Sequence, residues 1–270
     1  MKLILMGTND FVVPVFDSLA NEHDIIAVFT RAPKPMGRKH ILTPSPVHAW
    51  ADARKLPVYT SIKEFDTITE KPDMIIVFSY GVILRENVLN VAPCINIHPS
   101  SLPRYRGPSP IKTAILNGDK DMDVCLMKMV AELDAGDILM RENIRIDEND
   151  TNADMERKVS DVSIKMLDEY LQNPDNFPPT PQNGEVVFTR KFTGDDEIID
   201  WKNSPIQIHN QIRALGCGRT KINGIDVKIL ETKIENNELK IIKIQPAGKN
   251  SMDWKSFVNG LHSADITYGK

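Results

Sequence analysis

Cysteine is scarce in this chain: Cys94, Cys125 and Cys217 stand far apart and are the only three. That spacing excludes a disulfide framework and a cysteine-ligated metal, and it fits a reducing compartment. A cytoplasmic protein without a metal is therefore expected. Long apolar runs are also missing. No stretch approaches the roughly 20 residues of a membrane span, so no membrane partner is expected. The opening Met1-Lys2-Leu3-Ile4-Leu5-Met6-Gly7 is too short for a secretory signal and reads as a strand. The turn after it carries the lone Gly7, not a GxGxxG pattern, which argues against a bound dinucleotide. Repeats and low-complexity tracts are absent.

What is present is enough apolar material for a core, 41% of 270 residues, with a net charge of −4. That length suits one large domain or two unequal ones. Residues 2–6 and 24–30 read as strands, with a helix at 11–20 between them. Residues 56–59 and 73–78 read as further strands, with helices at 47–55 and 82–89. Residues 94–97, 123–130 and a segment ending at Ile144 complete the strands. Such alternation implies an α/β domain, a Rossmann-like, doubly wound, mostly parallel sheet with right-handed crossovers. Ser109 is placed to cap a helix running to Leu116, and a long helix is expected over 152–171. Pro174, Pro178, Pro179 and Pro181 mark a linker.

Beyond Trp201 the composition changes to a helix at 205–215 followed by short strand-like runs with an Asn223-Gly224 turn. This suggests a smaller second domain, an OB-like β-barrel. The expected division is 1–172, a linker at 173–196, and 197–270. From Glu197 onward there are 11 Lys/Arg against 8 Asp/Glu, so the C-terminal part is mildly basic while the rest is acidic. An acidic whole does not exclude nucleic acid where a local basic patch exists. The segment 31–46 is such a stretch, read as a loop in which Arg31, Lys34, Arg38 and Lys39 stand without an acid. Composition alone reads it as a solvated surface loop.

Chemistry concentrates at Asn96-Ile97-His98-Pro99-Ser100-Ser101-Leu102-Pro103-Arg104-Tyr105-Arg106-Gly107. Alternation puts Asn96 and His98 on one face of a strand. At the carboxyl end of that strand they would point into the crevice where open α/β sheets bind ligands. An isolated Asn-x-His is more often structural than catalytic. The loop after it is stiffened by prolines and rich in donors, which favours a binding wall.

Asn-x-His followed by Pro-Ser-x-Leu-Pro-Arg-Tyr-Arg-Gly, together with Leu133-Asp134-Ala135-Gly136-Asp137-Ile138, resembles the two signatures of the 10-formyltetrahydrofolate-dependent formyltransferases. The resemblance implies a catalytic set of Asn96, His98 and Asp134. It places Ser100, Ser101, Leu102 and Pro103 beside the folate co-substrate, 10-formyltetrahydrofolate. Ser101 stands where the family carries Leu, which puts that loop's side-chain contacts in question. Arg104 and Arg106 could meet a folate glutamate or a phosphate, or simply brace the loop. Asp137 reads as structural.

The wording of 42–47, of 199–201 and 208–215, and of Gln245-Pro246-Ala247-Gly248-Lys249 is similar to the family branch acting on methionyl-tRNA. That similarity implies initiator methionyl-tRNA as acceptor, with Arg31, Lys34, Arg38 and Lys39 meeting its acceptor end. It implies a tRNA-binding role for 197–270 and a monomeric enzyme of translation initiation. A sugar-nucleotide N-formyltransferase, a hydrolase releasing formate, and a binding module without activity are the competing readings.

Overall fold

The computed structural model describes residues 1–37, 39–261 and 265–269. The first half of the chain forms β1 (Lys2–Gly7), α1 (Val13–Glu22), β2 (Asp24–Phe29), β3 (Lys34–Met36), β4 (Ile41–Thr43) and α2 (Pro46–Ala53). It continues with β5 (Val58–Tyr59), β6 (Met74–Phe78), α3 (Glu86–Leu89), β7 (Cys94–His98), β8 (Arg104–Arg106) and α4 (Pro110–Asn117). The second half forms β9 (Asp121–Lys128), β10 (Ile138–Arg145), α5 (Asn152–Gln172), β11 (Val187–Phe188) and α6 (Pro205–Leu215). It ends with β12 (Gly218–Ile222), β13 (Ile225–Glu235), β14 (Glu238–Pro246), β15 (Met252–Asp253), α7 (Trp254–Leu261) and β16 (Tyr268–Gly269). No described helix is long and apolar enough to cross a membrane.

Two compact units interleave along the chain. The first comprises Met1–Pro108, Asp123–Ile144 and Glu156–Phe188; the second comprises Ser109–Met122, Arg145–Met155 and Thr189–Lys270. This cut through the packing differs from the contiguous division expected from sequence. Polar side chains of α6 explain why. His209, Asn210 and Arg213 are buried. His209 Nε2 lies 3.1 Å from the Glu148 carbonyl, and Arg213 Nη1 donates to the Asp150 carbonyl at 2.9 Å. Buried polar groups require such partners, and these come from 145–155 rather than from neighbours in sequence.

In the first unit a seven-stranded sheet runs in the order β10-β9-β7-β6-β1-β2-β5. The run from β7 to β5 is parallel, and β9 is antiparallel to β7. The fold is therefore mixed α/β with a parallel-dominated sheet. Leu3, Ile4, Leu5 and Met6 are fully buried, as both faces of a parallel sheet require. Each such side chain stabilises by about 1.5–3 kcal/mol. The chain leaves β1 toward β2 on one side while β6 lies on the other, so the order of strands reverses between β1 and β6 although the two are parallel. A crevice opens at the carboxyl ends of strands at such a point. Gly7 ends β1 there, and a Cβ on it would lie 2.8 Å from both the Phe16 ring and the Phe78 carbonyl.

Two local expectations are corrected. Residues 82–89 are helical only over Glu86–Leu89. Ser79 and Gly81 adopt left-handed φ values of 53° and 73°, which turn the chain and leave Val82 and Ile83 exposed. The segment 31–46 is not a plain loop. It contains the β3–β4 hairpin, paired from Lys34 with Thr43 to Met36 with Ile41.

In the second unit the sheet β15-β14-β13-β12-β16 is antiparallel at each of its seams. The order is linear, and among the described residues no pairing joins its two edges, so the barrel expected from sequence is an open sheet. Asn223 and Gly224, with φ of 47° and 77°, form the two-residue turn between β12 and β13. Ile199, Ile208, Ile212, Ile222, Ile229 and Phe257 fill the core beneath it. Ser204 and Gln207 close a capping box on α6. Ser109, by contrast, stands at the start of α4 without a side-chain capping bond.

Candidate active site

All five residues of β7 are buried, including Asn96 and His98 at 8% and 5% exposure. His98 ends the strand. Its Nε2 lies 3.0 Å from the Tyr105 carbonyl, which can only accept, so Nε2 carries the hydrogen. That leaves Nδ1 facing Asp134, whose Oδ2 is 3.7 Å away. The Asn96 amide makes no hydrogen bond within the described residues, so its donors are free for a ligand.

Asp134 is held from several sides. Its Oδ2 accepts from the Gly107 backbone N–H at 2.7 Å, and its carbonyl accepts from Gln182 Nε2 at 2.8 Å. Its φ is +48°, and Tyr105 has +66°. Non-glycine residues in this region are uncommon and gather at functional sites. Gly136 fits because it lacks a side chain: a Cβ there would lie 1.6 Å from the Lys128 carbonyl oxygen. The structure thus brings Asp134 to His98 across 36 residues of sequence.

Ser100, Ser101, Leu102 and Pro103 follow the strand after Pro99; Ser101 is half-buried and the other three are buried. Ser100 is fully buried, and Leu102 packs with Cys125, Met127 and Ile138. Ser101 Oγ accepts from the Asp123 N–H at 3.1 Å. Arg141 donates to the Leu102 carbonyl at 2.7 Å and to Asp123 at 2.8 Å, and Asn143 donates to Asp123 at 2.9 Å. Sequence reading missed this brace, because nothing in a strand of ordinary alternation marks Arg141 or Asn143. Cys125 donates its thiol hydrogen to the Ser100 carbonyl. Burial pushes that thiol up to about 11, so it stays protonated and is no nucleophile at neutral pH.

Arg104 lies over the Tyr105 ring at 4.4 Å. Arg106 is 7% exposed and donates to Gln182 and Glu132; it braces the loop. Arg31, Lys34 and Lys39 are exposed on or beside the β3–β4 hairpin, and none forms an ion pair within the described residues. Arg38 lies outside the described residues. At the sheet's point of reversal, Asn9 Nδ2 donates to Ser79 Oγ at 2.7 Å, and Thr8 Oγ1 donates to the Tyr80 carbonyl at 3.4 Å. These residues also escaped sequence reading; the lone Gly7 before a polar turn was the available signal. A cavity of about 730 Å³ lies at the amino ends of the strands, lined by Lys2, Asp24, Asp73 and Pro93, and holds none of the predicted residues. Among the described residues no three His, Cys, Asp or Glu side chains cluster as metal ligands.

An Asn and a His at the carboxyl end of a parallel strand, with a carboxylate 3.7 Å from the His, are groups able to donate to an oxyanion and to move a proton. The formyl transferase family model matches residues 1–171, and that of the formyl transferase C-terminal domain matches 191–240. The chain belongs to the formyl transferase family. It is 34% identical over 300 residues to the methionyl-tRNA formyltransferase of Rickettsia bellii (strain RML369-C), covering 98% of this chain and 99% of that one. With the methionyl-tRNA formyltransferase of Ehrlichia ruminantium (strain Gardel) it shares 42% over 226 residues, 80% and 74% of the two chains.

Among solved structures, methionyl-tRNA formyltransferase from Clostridium thermocellum matches with a TM-score of 0.66 at 16% identity, over 91% of this chain and 98% of that one. The N-formyltransferase from Helicobacter canadensis, solved with folinic acid and dTDP-3-aminofucose, matches with 0.68 at 21%, over 87% and 88%. These two likenesses speak for the fold.

Proposed function

We propose that the chain transfers the formyl group of 10-formyltetrahydrofolate to the α-amino group of methionyl initiator tRNA. The observation that carries this is the approach of the Asp134 carboxylate to His98 Nδ1, at 3.7 Å, beside an Asn96 amide that has no partner among the described residues. The near-full-length likeness to methionyl-tRNA formyltransferases names the acceptor. The neutral amine attacks the formyl carbon, and the bond from that carbon to N10 breaks. Asn96 donates to the oxyanion that forms on the way. His98 takes the proton released by the attacking nitrogen and returns it to N10 as N10 leaves, so the imidazole ends as it began. A proton gained at Nδ1 sits next to Asp134, which stabilises the resulting cation. An aminoacyl amine suits so mild a base, since a free α-amino group titrates near 8.

The buried side chains of Ser100, Leu102 and Pro103 leave the backbone as that loop's means of contacting folate. The exposed Arg31, Lys34 and Lys39, with Arg38, serve the acceptor end of the tRNA. Residues 1–172 are the catalytic domain, 173–196 the connection, and 197–270 a tRNA-binding domain built on the open antiparallel sheet; the family matches at 1–171 and 191–240 support that cut.

The test replaces Asn96 and His98 by Ala and measures turnover with both substrates. Loss of an oxyanion donor costs about 10²–10³ in kcat, and loss of a general base about 10²–10⁴. Wild-type turnover in His98→Ala would overturn the assignment.

A further inference from the structure

The proline-marked segment before Phe188 reads in sequence as a linker, yet it is stitched onto the loops that carry the site. Thr180 and Ile138 exchange backbone hydrogen bonds of 2.8 and 2.9 Å. The strand β11 pairs with β8, setting Val187 against Arg104 and Phe188 against Arg106. Between these two seams stands Gln182. Its Nε2 donates to the carbonyls of Asp134 and Gly136, each at 2.8 Å. Its Oε1 accepts from Arg106 Nη2 at 2.9 Å and Nε at 3.2 Å. Both amide hydrogens and the amide oxygen are thereby used, so the amide has one orientation only. The two carbonyls flank the turn in which Asp134 holds its left-handed φ, and such a conformation persists only where surrounding bonds enforce it.

We propose that Gln182 is a positioning residue for the reaction: it fixes the 134–136 backbone so that the Asp134 carboxylate stays within reach of His98. Arg106 acts one step further out, by holding the Gln182 amide in the orientation that donates to both carbonyls. The segment around 180–188 is then part of the active site's frame. This inference rests on the role given to Asp134 above.

The experiment is a double-mutant cycle on the full chain, with kcat, KM for each substrate and the melting temperature measured for every variant. Gln182→Ala and Gln182→Glu are each combined with Asp134→Asn. Gln182→Glu keeps the shape and the acceptor for Arg106 but loses both donors to the carbonyls, so it tests the idea even where the Ala variant folds poorly. Misplacement of a reacting group by about 1 Å costs up to about 100-fold. The expected result is a 10- to 100-fold loss of kcat in both Gln182 variants, with little change in either KM. In the Asp134→Asn background the same changes should cost less than threefold, because residues acting through one another are not additive. Equal costs in both backgrounds, or a lowered melting temperature with kcat intact, would overturn the proposal. If Asp134→Asn alone leaves kcat unchanged, the role of Asp134 has failed, which the single variant reveals before the cycle is read.

Discussion

Gly136→Ala is a perturbation of one methyl group whose cost can be worked from geometry. The added Cβ would stand 1.6 Å from the Lys128 carbonyl oxygen and 2.8 Å from its carbonyl carbon, whereas real Cβ atoms essentially never approach closer than 3.0 Å. The gap must open by about 1.5 Å. The obstacle is backbone in β9, which pairs with β7 through Ile95 and Lys128, so the strand resists and the 134–136 turn yields. Overpacking of this kind costs roughly 1–3 kcal/mol, sometimes more. A shift of about 1 Å at a reacting group costs about 100-fold in rate, and Asp134 lies two residues from the clash. The expected outcome is a melting temperature lowered by several degrees and kcat lowered about 100-fold, with KM for the folate nearly unchanged. Thermal melts and steady-state turnover at saturating folate read both quantities. A variant with wild-type kcat and melting temperature would refute the claim that this turn is fixed by close contact with β9.

Three further outcomes are expected. Lys34→Ala and Lys39→Ala should weaken methionyl-tRNA binding and reduce the slope of log K against log salt by about 0.7–0.9 each. An equal effect on a short aminoacyl acceptor would contradict that role. Arg141→Ala removes the donor to the Leu102 carbonyl and should raise KM for the folate several-fold while leaving tRNA affinity alone. Burial pushes the Cys94 thiol up to about 12 and Cys125 up to about 11. Both are neutral when folded and would ionise near 8.5–9 when unfolded. Their contribution to stability is therefore complete below that pH and is lost as pH rises toward 11–12. Melts across pH 7–11 should be level at first and fall above about pH 9; a constant melting temperature to pH 11 would contradict this.

The sheet was legible because β1 and β6 are nearly unbroken apolar runs. The approach of Asp134 to His98 was legible because the two motifs that carry them are specific. The elements that escaped lack such a signal. The β3–β4 hairpin is built from short, exposed strands, and pairing without burial leaves no periodicity. The helix at 82–89 shrank because the left-handed Ser79 and Gly81 redirect the chain, which hydropathy does not record. Gln182 and Arg141 act through hydrogen bonds to backbone carbonyls distant in sequence, and a polar residue in a proline-rich segment or an ordinary strand gives no hint of such partners. The same holds for Glu148 and Asp150, whose carbonyls receive polar side chains of α6.

Acceptor choice tests the central claim most directly. The purified protein is given 10-formyltetrahydrofolate together with methionyl initiator tRNA and an amino-sugar nucleotide in competition, and both products are quantified. The account predicts that formylmethionyl-tRNA accumulates while the sugar nucleotide is left unmodified. Formylation of the sugar nucleotide with methionyl-tRNA untouched would contradict it.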